Sequence, residues 1–285
     1  MSEPAAIFDR ALLKARRQRA LAQGAETFLL DRVASDIAER LSAVMRKFER
    51  AVDIGTPTDA VRRVLVGAGS VPAIEAAAFD DEALSAAAGS LDLAVSALAL
   101  HFVNDLPGAL IQIRRALKPD GLFLAALLGG DTLTELRQAF AAAESEVEGG
   151  ISPRVAPFAD IRDVGGLLQR AGFALPVVDS DRIGVRYDTV FALMHDLRRM
   201  GATNALTERR RQPLRRTTLL RMAEVYGERF ADPDGRLRAT FEVIWLSGWA
   251  PHESQQQPLK PGSARTRLAD ALGTKEIPAG EKPGE

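Results

Sequence analysis

The chain has no cysteine, so proton transfer near neutral pH falls to its three histidines and to whichever carboxylates lie close to them. His101 comes just past the apolar run Leu91–Leu98, where a base can take a proton from a substrate held at the end of a strand. His252 follows the apolar stretch Arg238–Trp249 and is trailed by Glu253, which makes it a second candidate for contact with substrate. His195 sits inside a helical pattern and reads as structural. Asp131 and Thr132, beside Gly129-Gly130, place a carboxylate and a hydroxyl where the chain leaves another apolar run, again facing substrate. In DIGTPTDAV, Asp53 and Gly55 form an acid followed by a turn glycine, by itself a weak dinucleotide-style signal. Glu75 lies 20 residues past Gly55, the spacing of a ribose-hydroxyl acceptor, and its alternative is a surface or loop role. Three scattered histidines offer no metal-ligand spacing, and no metal is expected. Without cysteine there is no disulfide, thiolate zinc site, Cys-ligated cluster or cysteine nucleophile.

The elements that must position these groups are plainest between Ser90 and Leu133. Leu91–Leu98 has strand length and no charge after Asp92, as a strand buried on both faces of a parallel sheet requires. Asn104-Asp105 supplies an N-cap and Pro107 a first-turn proline. Leu106, Leu110, Ile113 and Leu117 recur at helical spacing, and Arg114, Arg115 and Lys118 suit the negative end of the helix dipole. Pro119-Asp120-Gly121 predicts a turn, and Leu122–Leu128 a second buried strand. Such a strand–helix–strand unit belongs in a right-handed crossover of an α/β domain, whose ligands sit at the carboxyl ends of the strands.

This block closely resembles the fourth and fifth strands of class I S-adenosylmethionine (SAM) methyltransferases. LHFVNDLPGALIQIRRALKPDGLFLAALLGGDTLTELR (Leu100–Arg137), SGWAPHESQ (Ser247–Gln255) and IFDRALLKARR near the N-terminus resemble one branch more particularly. That is the complex I assembly branch, the arginine-hydroxylase type of mitochondria and related bacteria. The resemblance runs over nearly the whole chain. It implies a SAM cofactor, with the Asp53–Gly55 turn against the methionine moiety and ribose, where glycine lets backbone approach and a side chain would clash. It implies that Asp80 and Asp81 in DDEAL accept from the adenine amino group, that Ser96 borders the cofactor, and that His101 faces substrate as the catalytic base. Two features depart from the pattern. Pro57 and Asp59 stand at the next two glycine positions, and proline fixes φ and adds bulk. Only 24 residues separate Gly55 from Asp80, whereas two helices and two strands need about 35. One strand–helix unit is therefore predicted to be shortened or missing. Either Val71–Ile74 is the second strand with Glu75 at its end, or Val71–Phe79 is the third and the ribose acid is absent.

The fold expected is a Rossmann-like class I methyltransferase fold of the α/β class, a mostly parallel sheet with an antiparallel last strand. Helices over Phe8–Ala22 and Phe28–Phe48 (residues 1–49) are predicted to cap it and roof the cofactor cleft. The domain itself spans 50–250, with a helical insertion at about 187–230 and a mobile tail at 251–285. Within the insertion, Glu208–Arg216 carries five arginines, a solvated surface or a dock for an acidic partner. Lys plus Arg (37) nearly balances Asp plus Glu (38), so no overall field calls for nucleic acid or anionic lipid. No apolar run reaches the roughly 20 residues of a membrane span. The Arg-rich N-terminus reads as mature protein, and the chain as cytoplasmic or held peripherally at the inner membrane by its partner. The function implied is SAM-dependent chemistry on a protein substrate in complex I assembly, an arginine of an iron–sulfur subunit. A non-catalytic assembly factor and a carrier-protein O-methyltransferase of the biotin-synthesis type are the alternatives.

Overall fold

The computed structural model describes residues 6–77, 79, 82–256 and 268–275. Met1–Pro251 form one compact unit and His252–Glu285 another. In the first, α1 (Arg10–Ala22) and α2 (Phe28–Ser42) precede β1 (Ala51–Ile54), and α3 (Ala60–Gly67) leads to β2 (Ile74–Ala77). The crossover predicted from the sequence follows as β3 (Leu91–Ala97), α4 (Leu106–Ala116) and β4 (Leu117–Leu128). Then come α5 (Thr134–Glu148), α6 (Ile161–Arg170), β5 (Ala174–Tyr187), α7 (Val190–Arg199), α8 (Arg216–Phe230) and β6 (Leu237–Trp249). The second unit contains a short helix, α9 (Leu268–Leu272).

The six strands lie in the order β2-β1-β3-β4-β6-β5. β1 to β4 run parallel, and β6 is antiparallel to both of its neighbours. β6 therefore sits inside the sheet and β5 forms the edge. Between α3 and β3 the described residues hold a single strand, β2, paired directly with β1 through Ala51 and Ile74. The short segment thus occupies the second-strand place, and among the described residues nothing flanks it outside.

Side chains alternate along each central strand into two apolar layers, which is why β3 carries an unbroken apolar run. Leu93, Val95 and Phe241 meet Val33, Ile37, Leu65 and Tyr226 on one side. Ala94, Phe123 and Ile244 meet Leu110, Ile113 and Leu168 on the other. Burying one such leucine or isoleucine contributes about 1.5–3 kcal/mol, so these layers hold the sheet edges in place.

Two local departures have physical causes. Pro119-Asp120-Gly121 does not end the chain's strand; it is taken up as an irregularity between the pairs Leu91–Leu117 and Leu93–Leu122. Asp120 adopts φ 62° there while its N–H donates to the Ala250 carbonyl at 3.0 Å. Helix α2 stops at Ser42, short of Phe48, because Ser42 Oγ bonds back to the Glu39 carbonyl and competes with the helix ladder. Phe48 still reaches the core, from a loop.

Helix α1 is strapped to the segment after α7. Asp9 N–H donates to the Ala205 carbonyl at 2.8 Å and Arg16 Nη1 to the Thr203 carbonyl at 2.9 Å. Gly201, at φ 68°, lets the two backbones close up, since a Cβ there would lie 2.9 Å from the Arg17 Cα. Two of the five clustered arginines are internal ties: Arg209 pairs with Asp9 at 3.1 Å, and Arg210 with Glu148.

Candidate functional site

Beneath this cap the carboxyl ends of β1, β3 and β4 open into a cavity of about 280 Å³, near the lower end of ligand clefts at roughly 300 Å³. Pro57 and Thr58 line it from the turn after β1, and Leu98, His101 and Phe102 from the segment after β3. Leu128, Thr132 and Leu133 come from the end of β4, and Arg17, Leu29 and Leu30 from the cap. Leu98 and Leu133, the exits of β3 and β4, are leucines at φ 49° and 54°. Left-handed backbone costs a non-glycine residue energy and clusters at functional sites. One wall is residues 154–158, fixed by Glu144. Its fully buried carboxylate accepts from Ser152 N–H at 2.7 Å, Ser152 Oγ at 2.8 Å and Arg154 Nε at 2.7 Å.

His101 lies on a single helical turn, Leu100–Phe102, and is 8% exposed. Leu128 N–H donates to its Nδ1 at 3.3 Å, so in the neutral ring the proton sits on Nε2. Nε2 is buried and has no hydrogen-bond partner. Burial, with a smaller contribution from the Arg17 charge, holds the imidazolium pKa well below its ordinary value. His101 is therefore a neutral hydrogen-bond donor at pH 7. The sequence pointed to a proton-accepting base; in this structure the acceptor nitrogen of the neutral ring is engaged by Leu128 N–H. Its ring packs 4.3 Å from Phe102 and edge-on to Phe158 at 5.2 Å.

Arg17 packs on the same aromatic group, its Cζ 5.4 Å from the Phe102 centroid. Burial, helped by the Arg10 charge, lowers its pKa to about 10, which still leaves a cation at neutral pH. Arg17 was not among the residues singled out from the sequence; it stands in a basic run of α1, Lys14–Arg19. The signal was present: Leu13, Arg17 and Ala20 recur at helical spacing, and Leu13 and Ala20 are the buried residues of α1.

The other predicted residues fall in several places. Asp53 is 1% exposed, with its carboxylate taken by Thr56 Oγ and by Arg62 Nη1 at 2.8 Å. Thr56 Oγ1 also accepts from Ala97 N–H at 3.1 Å, so Thr56 wires the turn to β3. Gly55 takes φ 67°, a conformation suited to glycine, and its N–H donates to the Ala77 carbonyl at 3.1 Å. Pro57 forms cavity wall and does not fill the hollow. Ser96 is fully buried and donates to the Ile54 carbonyl at 2.8 Å, a tie between β1 and β3. Glu75 is exposed in the middle of β2 opposite Val52, not at its carboxyl end, and does not line the cavity. Thr132 lines the cavity, but its hydroxyl bonds the Glu242 backbone; Asp131 points to Arg182. His252, in the second unit, is exposed and its Nδ1 meets Ser254 Oγ at 2.7 Å. Asp80 and Asp81 lie outside the described residues.

Nearby, Arg10 ties two segments together, donating to the Phe79 carbonyl at 2.8 Å and to the Phe102 carbonyl at 3.2 Å.

Residues 30–125 match the family described as "Methyltransferase domain". The chain is 39% identical to the Homo sapiens protein "Arginine-hydroxylase NDUFAF5, mitochondrial" over 287 residues, 93% of this chain and 83% of the relative. The chain belongs to the arginine-hydroxylase NDUFAF5 family. A malonyl-[acyl-carrier protein] O-methyltransferase of Laribacter hongkongensis is 41% identical over 206 residues, 72% of this chain and 65% of the relative. A Bacillus halodurans C-125 structure classed as a methyltransferase superposes with a TM-score of 0.51 at 13% identity, over 76% of this chain and 99% of that one. At that identity it speaks for the fold alone. The Rossmann-like methyltransferase fold and the superfamily read from the β3–β4 block are those the structure and relatives show. Among the described residues, no helix is long and apolar enough to cross a membrane.

Proposed function

We propose that this protein is a SAM-dependent enzyme of the arginine-hydroxylase branch, acting on an arginine of a protein partner in complex I assembly. The partner envisaged is an iron–sulfur subunit, which would hold the enzyme at the inner-membrane surface. The observation that carries the reading is the largely apolar cavity where β1, β3 and β4 end, lined by His101, whose Nε2 is buried and unpartnered. Membership of the arginine-hydroxylase NDUFAF5 family supports SAM-dependent chemistry in such a cavity.

SAM, when bound, supplies a sulfonium-activated carbon centre. The chain's own residues do the remainder. The Gly55 turn lets ligand approach backbone, and the apolar wall of Leu98, Phe102, Leu128 and Phe158 excludes water, which strengthens every polar contact made inside. His101 Nε2–H donates to an acceptor atom of whatever is bound and fixes its orientation. Asp53 acts at one remove, holding the turn through Thr56 and Arg62.

Calorimetry of the full chain with SAM tests the cofactor, and mass spectrometry of a co-purified partner tests the product. Saturable SAM binding is the expected result, with one partner arginine gaining a methylene as SAM becomes S-adenosylhomocysteine, or gaining an oxygen only when dioxygen and a reductant are supplied. No SAM binding at millimolar concentration refutes the enzyme reading and leaves an assembly factor without catalysis. The similarity to the malonyl-carrier-protein enzyme supports one second reading; recovery of an acyl carrier protein, methylated on its acyl carboxylate, would put it in first place.

A further inference from the structure

The polar groups left unmatched around the cavity are donors. The Arg17 guanidinium rests on Phe102 and has no hydrogen-bond or ion-pair partner among the described residues. His101 Nε2–H, 92% buried as a residue, has none either. The lining carboxylate, Glu26, is already paired with Arg199 at 3.3 Å, and the lining Arg154 with Glu144. A buried donor without an acceptor is costly, and a half-buried cation without a counter-charge more so. Both costs vanish if the ligand brings acceptor oxygens carrying negative charge. Phosphate needs several converging donors, usually backbone N–H groups at a helix start; here the donors are the Arg17 fork and one ring N–H, both packed against Phe102, and the exposed fork of Arg198. An Arg fork matches a planar carboxylate bidentately.

We propose that Arg17 and His101 form a carboxylate-binding subsite, in which the guanidinium pairs with a ligand carboxylate and Nε2–H donates to the same ligand. Two sources bring this chemistry to the cavity, the amino-acid end of the cofactor or a carboxylated acyl substrate. The first rests on the cofactor reading above; the second does not.

The test uses the full chain and the variants Arg17→Gln and Arg17→Lys, whose long unbranched side chains keep the helix and whose melting temperatures confirm folding. Probes are S-adenosylhomocysteine against methylthioadenosine, which lacks the amino-acid end, and malonyl-pantetheine against acetyl-pantetheine, which lacks the carboxylate. If the cofactor supplies the carboxylate, Arg17→Gln weakens S-adenosylhomocysteine by about tenfold or more, leaves methylthioadenosine unchanged, and Arg17→Lys recovers part of the loss. If a substrate supplies it, the loss is confined to malonyl-pantetheine. Arg17-dependent malonyl binding in a chain that ignores S-adenosylhomocysteine upholds the subsite and refutes the cofactor reading. Equal affinity of wild type and Arg17→Gln for both carboxylates overturns the subsite, as does failure of the wild type to bind either one.

Discussion

Replacing Arg62 by methionine isolates the ion pair that holds the turn after β1. Arg62 Nη1 lies 2.8 Å from Asp53 Oδ2; the Asp53 side chain is 0% exposed and that of Arg62 28%. Unit charges about 4 Å apart attract by about 4 kcal/mol at an effective dielectric of about 20. Screening at the partly exposed arginine brings the expected loss to about 2–3 kcal/mol, less than for a fully buried pair broken on one side. The loss carries a pH signature. Burial already raises the Asp53 carboxyl above its ordinary value, against the lowering effects of Thr56 and Arg62. A carboxyl whose folded pKa exceeds the unfolded value, near 3.9, costs stability progressively as pH rises between the two values, and the full cost persists above them. Removing Arg62 pushes the folded value higher still, so the variant suffers most at pH 7 and recovers as the pH falls toward 5. Urea denaturation of wild type, Arg62→Met and the double variant Asp53→Asn/Arg62→Met at both pH values reads this directly. The double variant should regain most of the loss and differ from wild type in its pH dependence less than Arg62→Met does. A penalty below about 0.5 kcal/mol at pH 7, within the ordinary range of surface substitutions, or one of equal size at pH 5, would refute the argument that a buried charge is being compensated.

Other perturbations follow from particular contacts. Glu144→Ala strips the partner from Arg154, whose side chain is only 16% exposed, and should cost about 3 kcal/mol while speeding hydrogen exchange or proteolysis over residues 151–158. Gly248→Ala would set a Cβ 2.9 Å from the Phe173 Cβ inside the core and should cost about 1–3 kcal/mol in a thermal or urea melt. Thr132→Val removes a hydroxyl that bonds both the N–H and the carbonyl of Glu242, and about 1–3 kcal/mol of stability should go with it. His101→Gln should flatten the acid limb of the stability profile. The wild-type imidazole has a lowered folded pKa, so its contribution is present above the unfolded value near 6.5 and is lost as pH falls below it.

The sheet was legible because its centre obeys local rules. β3 had to be buried on both faces to carry Leu91–Ala97 without a charge after Asp92, and Asp105 caps α4 as expected, accepting from Gly108 N–H at 2.8 Å. Chain length alone showed that a strand–helix unit had been trimmed between Gly55 and β3. What stayed hidden depends on contacts between distant residues. Ser96 and Asp53 carry the side chains of a binding motif, but each is consumed within the fold, by Ile54 and by Arg62. Glu75 has the right distance along the chain from Gly55, yet strand pairing sets it level with Val52, short of the strand's carboxyl end. Arg17 drew no notice in the sequence because its neighbours there are basic, as on an ordinary solvated helix face. Its neighbours in space are Phe102 and the backbone opposite Gly201.

The charge of the cavity constrains how an arginine substrate can be received. A guanidinium brings five donors, no acceptor and a positive charge, while Arg17 and His101 already present donors and one positive charge with nothing to match them. At an effective dielectric of about 20, two like charges about 4 Å apart repel by about 4 kcal/mol, enough to oppose entry about a thousandfold. A carboxylate paired with Arg17 offsets that repulsion, and its oxygens keep lone pairs that can accept from the incoming guanidinium. If an arginine substrate uses this cavity, the expected order is that the carboxylate-bearing ligand binds Arg17 first and the arginine binds the complex, an order that product- and dead-end-inhibition kinetics would read.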